Sequence, residues 1–99
     1  MPRININRAR LEAFCQRWGV AELALFGSVL REDFRPDSDV DVLVEFEPDA
    51  RISLFDMVEM QDELKALFGH KVDLVEGQGL RNPYRRHEIL KSRQVIYAA

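Results

Sequence analysis

Two short runs rich in β-branched residues are separated by a segment of helix length, and this order most constrains the fold. The runs are VDVLVEF (40–46) and KVDLVE (71–76), and both have the length of a strand. Between them, Ser53 and Asp56 predict a capping box that opens an amphipathic helix reaching about Phe68. Strands joined by helices in this way predict an α/β or α+β sheet domain.

The flanking segments continue the alternation of helices and strands. The loop GQG (77–79) is predicted to be mobile, and a short helical turn is expected from Val29. Four further elements are predicted: a helix capped by Asn7 and ended by Gly19, a strand at 21–26, a helix opened by Asn82 and Pro83, and an edge strand at 94–98.

The size and composition of the chain exclude several classes of protein. Its 99 residues predict one domain, 1–99, and 46% hydrophobic with 31% charged residues is typical of a soluble globular protein. No segment has the apolar length of a secretory signal or a membrane span, so we expect a cytoplasmic protein with no membrane partner. Cys15 is the only cysteine, which excludes an internal disulfide and predicts a small packed side chain.

The charge is unevenly distributed along the chain. The net charge is -3, yet residues 81–93 alone carry a local balance of +4. This basic segment could contact phosphate or an acidic partner, or could form an ordinary solvated helix face. A nucleic-acid partner is not expected, because an acidic protein has no broad electrostatic footprint for a polyanion.

A pair of carboxylates opens the first of the two central strands. Asp39 and Asp41 are two residues apart, so they project to one face while Val40 and Val42 face the apolar side. Two like charges held this close repel each other, and the arrangement predicts a cation between them. Oxygen ligands alone suit magnesium or manganese better than zinc or copper.

A third carboxylate lies in the second of these strands. Asp73 follows Val72 and precedes Leu74, where an unpaired charge is out of place. If the two strands are neighbours, Asp73 can point at the same spot as Asp39 and Asp41. Three acids around divalent ions form the arrangement used for in-line phosphoryl or nucleotidyl transfer.

Gly27 and Ser28 follow a predicted strand and provide a second feature of phosphate chemistry. Glycine allows the backbone to approach a phosphate closely, and the following N–H groups and the serine hydroxyl can donate to its oxygens. Arg31 and Arg35 are near enough in sequence to add positive charge.

Each of these residues also has an ordinary structural interpretation. Gly27 and Ser28 could form a simple strand-to-helix turn, Asp39 could be a cap, and Asp73 could face solvent on an edge strand. An EF-hand beginning at Asp37 fails, because its sixth position is valine and its twelfth is proline. The combination of the Gly-Ser pair with acids in two separate strands favours the functional interpretation.

The stretch FGSVLREDFRPDSDVDVLV, with its Gly-Ser pair, gap of ten residues and Asp-Val-Asp, resembles the signature of the DNA polymerase β-like nucleotidyltransferase superfamily. In particular it is similar to the minimal nucleotidyltransferases (MNT proteins) of prokaryotes. The resemblance implies a small mixed sheet with helices packed on one face. It also implies that Asp39 and Asp41 bind Mg²⁺ or Mn²⁺, that Asp73 completes the site and deprotonates the acceptor, and that Gly27 and Ser28 hold the triphosphate of ATP.

The resemblance further implies a partner. MNT proteins are commonly encoded with an all-helical HEPN protein, often a toxin, which they neutralise by transferring AMP to a tyrosine or by binding alone. Both routes remain open for this chain. Transfer to a small molecule would need an acceptor-binding domain that this length does not provide, so acceptor recognition is expected from a partner or from another copy of the chain. Val29, Leu30 and Glu32 depart from the pattern of relatives in the phosphate loop.

Overall fold

The computed structural model of the chain describes residues 4–32, 34–35, 37–80 and 82–99. Short 3-10 turns lie at Gly27–Leu30 and Gly77–Gly79, and the second of them occupies the segment predicted to be a mobile loop. The regular elements are α1 (Arg8–Trp18), β1 (Val20–Phe26), β2 (Val40–Phe46), α2 (Leu54–Phe68), β3 (Val72–Glu76), α3 (Pro83–Ser92) and β4 (Gln94–Ala98).

The four strands form one mixed sheet in the order β3-β2-β1-β4. β2 pairs with β3 in parallel, and β1 pairs with both β2 and β4 in antiparallel orientation. The predicted α/β sheet domain is therefore confirmed, with β3 and β4 at the two edges.

A side chain caps the N-terminus of each α-helix, as the sequence predicts. The Asn7 side chain accepts a hydrogen bond from the backbone N–H of Arg10. At the start of α3, the Asn82 side chain accepts from the backbone N–H groups of Tyr84 and Arg85. At α2, Ser53 and Asp56 form both halves of the capping box. These local bonds satisfy donors that would otherwise lack a partner in the first turn, which fixes where each helix begins.

The helices are short. The longest, α2, has 15 residues and a length of about 22 Å at the usual rise per residue. In the described part of the chain, no helix combines the length and the apolar character that a membrane span requires.

The main hydrophobic core lies between α1, α2 and one face of the sheet. Alternate residues of β1 and β2 point into it, which is the period-two pattern expected of half-buried strands. Its centre is formed by the fully buried side chains of Leu11, Leu23, Leu25, Val42, Met60 and Leu64.

α3 packs on the opposite face of the sheet from α1 and α2. Its buried Ile89 contacts a second apolar cluster with Ala24, Phe26 and Leu43. The resemblance implied helices on one face, and α1 and α2 follow that expectation. α3 differs because of the direction in which the chain crosses the sheet. The connection through α2 runs from β2 to β3 and the connection through α3 runs from β3 to β4, so both join parallel strands but in opposite directions across the sheet. The usual right-handed crossover then places α2 and α3 on opposite faces.

Cys15 is fully buried in the main core. Burial, with a smaller effect from Glu12, raises the pKa of its thiol to about 12. The thiolate, which is the reactive form, is therefore almost absent near neutral pH. We expect Cys15 to react with a thiol reagent about 10³-fold more slowly in the folded protein than in the urea-unfolded protein. Equal rates in a timed thiol assay would contradict this prediction.

Candidate active site

The register between β2 and β3 places Asp41 and Asp73 side by side. They are direct partners in the parallel ladder, so their backbones are about 4.8 Å apart and their side chains leave the same face of the sheet. That face is the one covered by α3, whereas Val40 and Val42 point into the main core. The two acid-bearing strands are therefore neighbours, which is the condition under which Asp73 can point toward Asp41.

Asp39 immediately precedes β2 and is exposed. Together with Asp73 it lines a shallow cavity of about 350 Å³ at the outer edge of β3. Within the described ranges, however, no group of three or more His, Cys, Asp or Glu side chains is arranged to hold a metal ion. The backbone thus brings Asp39, Asp41 and Asp73 to one end of two neighbouring strands, but their side-chain positions do not form a complete cation site. Their oxygen-only chemistry still matches the ligands preferred by Mg²⁺.

Asp41 carries the clearest electrostatic signature of the site. Partial burial, then the charge of Asp73, then that of Asp39 raise the pKa of the Asp41 carboxyl. Arg85 and Arg31 act in the opposite direction and lower the same pKa. Asp41 is therefore held between two like charges and two cations, an arrangement frequent at functional sites.

The raised pKa of Asp41 predicts how stability depends on pH. The folded state binds this proton more tightly than the unfolded chain, so ionisation of Asp41 lowers the free energy of unfolding as pH rises above the ordinary pKa of 3.8. The loss is complete above the raised folded pKa. Without divalent cations, Asp41→Asn is expected to be more stable than the wild type near pH 7, and the gap should close below about pH 4. Urea unfolding across this range measures it, and a gap that does not change with pH would contradict it.

Gly27 lies directly beside Asp41, and Ser28 follows it. Phe26, the last residue of β1, pairs with Asp41 in the antiparallel ladder. The turn that begins at Gly27 therefore starts next to the Asp41 carboxylate. Gly27 has a φ of 75°, and a Cβ added there would lie 2.4 Å from Asp41 Oδ2. Both the backbone conformation and the close carboxylate require glycine.

The turn after β1 is held by backbone and side-chain contacts. The N–H of Arg31 donates to the Ser28 carbonyl at 2.9 Å, and Ser28 Oγ makes a long contact of 3.5 Å with the Asp39 carbonyl. The short helical turn was expected from Val29 but begins two residues earlier, at Gly27. This start includes Gly27 and Ser28 in the turn.

Several residues near the carboxylates were missed by sequence reasoning about the site. Arg85 was noted only as part of a basic segment, and its action on Asp41 depends on the packing of α3 across the sheet. Arg86 fixes α3 locally by donating to the Gly77 carbonyl. Lys65 and Lys71 line the same cavity as Asp39. Arg81, which opens the predicted basic segment, lies outside the described residues.

Comparison with known proteins identifies the family. The model of the family described as "Nucleotidyltransferase domain" matches residues 8–96 of the chain. The chain belongs to the nucleotidyltransferase domain family. The sequence prediction of a nucleotidyltransferase is thereby confirmed, and the match spans all three helices and most of the sheet.

Individual nucleotidyltransferase relatives agree with the family match. The protein adenylyltransferase MntA of Thermococcus cleftensis is 39% identical over 93 residues, which cover 94% of this chain and 89% of that protein. A protein of Methanocaldococcus jannaschii, provisionally named a protein adenylyltransferase, is 37% identical over 85% of this chain and 84% of its own length.

Solved structures share the nucleotidyltransferase fold. One provisionally described as a minimal nucleotidyltransferase is 39% identical, with a TM-score of 0.69 over 88% of this chain and 89% of that one. A toxin-antitoxin structure with AMP-PNP has a TM-score of 0.74 over 95% of this chain and 75% of that one, at 16% identity. At that identity, the second likeness supports the fold alone.

Proposed function

We propose that the chain is a protein adenylyltransferase that transfers AMP from ATP to a hydroxyl of a partner protein. The acceptor is a tyrosine of an all-helical HEPN toxin encoded beside it, and the transfer makes this chain an antitoxin that acts in the cytoplasm. The observation that carries the proposal is the ladder pairing of Asp41 with both Asp73 and Phe26, which joins the acids to the Gly27 turn. The 39% identity to the protein adenylyltransferase MntA supports it.

The turn after β1 is the proposed site for the triphosphate. Gly27 allows close approach of the backbone, and the Ser28 hydroxyl with the neighbouring N–H groups donates to phosphate oxygens. Arg31 and Arg85, whose charges already act on Asp41, offset the negative charge of the nucleotide. Neutralisation is needed because a triphosphate would otherwise be repelled by three carboxylates.

Asp39 and Asp41 are the proposed ligands of Mg²⁺ or Mn²⁺, with Asp73 completing the set. Small side-chain rotations would be needed to gather their oxygens, because the described side chains do not form such a group as they stand. When bound, the ion polarises the α-phosphate and stabilises the charge that develops on it.

The transfer itself forms one bond and breaks one bond. The acceptor hydroxyl oxygen attacks the α-phosphorus, and the bond from that phosphorus to the β-phosphate bridging oxygen breaks. Pyrophosphate leaves with the electron pair, and Asp73 takes the proton of the acceptor hydroxyl. Asp73 can serve as this base because it lies beside Asp41 on an edge strand, open to an entering acceptor.

The test is an incubation of the purified chain with its HEPN partner, Mg²⁺ and ATP labelled at either the α- or the γ-phosphate. Label from the α-phosphate alone is expected on the partner, and it should disappear with EDTA or when the acceptor tyrosine is changed to phenylalanine. Neutralisation of the partner without label would indicate the alternative, an antitoxin that acts by occlusion. If neither label nor neutralisation occurs, the proposed function is wrong.

A further inference from the structure

The exposed face of α2 carries an apolar patch that the fold does not cover. Leu54, Phe55 and Val58 are 85%, 87% and 60% exposed, whereas the opposite face of the same helix is buried in the core. Side chains three and four positions apart are neighbours on a helix, so these three form one patch. Large apolar side chains grouped in this way mark interaction surfaces more often than isolated ones do.

The exposed face of α2 that carries the patch continues, with polar side chains, toward the carboxylates. Phe55, Val58, Asp62 and Lys65 follow the alternating three and four spacing with which one helix pairs along another. The C-terminal members of this row, Asp62 and Lys65, line the cavity that also contains Asp39 and Asp73. From Phe55 to Lys65 the row is about 15 Å long, roughly three helical turns.

The geometry of the reaction brings the acceptor in over the β3 edge of the sheet, which α2 borders from the face opposite the carboxylates. Gly27 and Ser28 follow β1, so the leaving pyrophosphate lies toward β1, with Asp41 on β2 between it and Asp73 on β3. An in-line displacement brings the acceptor oxygen from the side opposite the leaving group. The acceptor therefore approaches over the β3 edge, where the cavity opens.

The edge of β3 is itself tied to α2. Gln61 accepts a hydrogen bond from the Leu74 N–H at 3.1 Å, which links the middle of α2 to the outer edge of this strand. Asp73 directly precedes Leu74 in β3. A protein docked on α2 is thus held in a fixed position relative to the Asp73 carboxylate. Such fixed placement is what allows an acceptor hydroxyl to be positioned for attack.

From these observations we infer that the α2 face is the docking site for the protein that carries the acceptor hydroxyl. The occupant is an amphipathic helix with apolar side chains against Leu54, Phe55 and Val58. Exposed Glu59 and Asp62 lie next to the three apolar side chains on α2, so the docked helix carries lysine or arginine at the facing positions. This inference rests on the proposed function for the identity of the reaction, but docking itself requires no catalysis.

The test measures binding and transfer separately, with the HEPN protein encoded beside the chain as the probe. Val58→Asp is compared with Val95→Asp, since Val95 is also an exposed valine but lies on β4 at the opposite edge of the sheet. Calorimetry without ATP is expected to show binding weakened about 30-fold or more by Val58→Asp and unchanged by Val95→Asp. Glu59→Lys should also weaken binding, and unfolding curves for all variants confirm that the fold is kept.

The outcomes separate the two proposals. Selective loss of binding in Val58→Asp supports docking on α2, and if wild type transfers no AMP in that case, only the proposed function is wrong. Equal binding by both valine variants overturns the inference. It is also overturned if the chain alone forms dimers that Val58→Asp converts to monomers, because the face would then be covered by a second copy.

Discussion

Changing Asp41 to asparagine is expected to lower the rate of AMP transfer to the partner on the order of 10³-fold, the scale of losing one preorganised electrostatic group in an active site. Asparagine keeps the size of the side chain but removes the charge needed to hold a divalent cation. The same change relieves repulsion from Asp73 and Asp39, so the variant should fold at least as stably as the wild type. Loss of activity together with greater stability near pH 7 identifies a functional group that destabilises the fold.

The measurement is the initial rate of α-phosphate label transfer at saturating partner, with urea unfolding of the same samples. Asp49→Asn is the matched control, because Asp49 is an exposed carboxylate in the loop after β2 and lines a different cavity. It should retain wild-type activity. Transfer that survives in Asp41→Asn would show that the chemistry does not take place at these strands.

Local patterns were sufficient to predict where the three α-helices begin, although the short turn expected from Val29 begins at Gly27. The caps at Asn7, Ser53 and Asn82 all lie where the sequence indicates, because each depends on contacts within a few residues. The strands β2 and β3 likewise follow from short runs rich in β-branched residues. The resemblance implied that all helices share one face, but α3 packs on the other, because its face depends on the order of all four strands rather than on any residue of the helix.

The candidate site shows the same division between local and long-range information. The spacing of Asp39 and Asp41 follows from strand geometry alone, and a helix between two strands favours β2 and β3 as neighbours. The action of Arg85 on Asp41 could not be predicted, since it depends on where α3 crosses the sheet. Nor does any sequence pattern determine the side-chain rotations that would gather the three carboxylates.

The second large effect is expected from Gly27→Ala. The added Cβ would lie 2.4 Å from Asp41 Oδ2, so the carboxylate or the turn must move, and the φ of 75° adds strain for any L-residue. The strain alone is worth about 1–2 kcal/mol. Because the displaced group is the proposed cation ligand, transfer should fall by about 10²-fold or more, the size of effect that misplacement of about 1 Å produces.

Gly69→Ala separates these two causes. Gly69 has the same φ of 75°, but a Cβ added there meets nothing within 4 Å. Both variants should lose similar backbone stability in urea unfolding, while only Gly27→Ala should lose transfer activity and nucleotide binding. If the two variants retain equal activity, the turn after β1 does not position Asp41, and the triphosphate must bind elsewhere on the chain. If both lose activity equally, general destabilisation rather than the contact between Gly27 and Asp41 accounts for the loss.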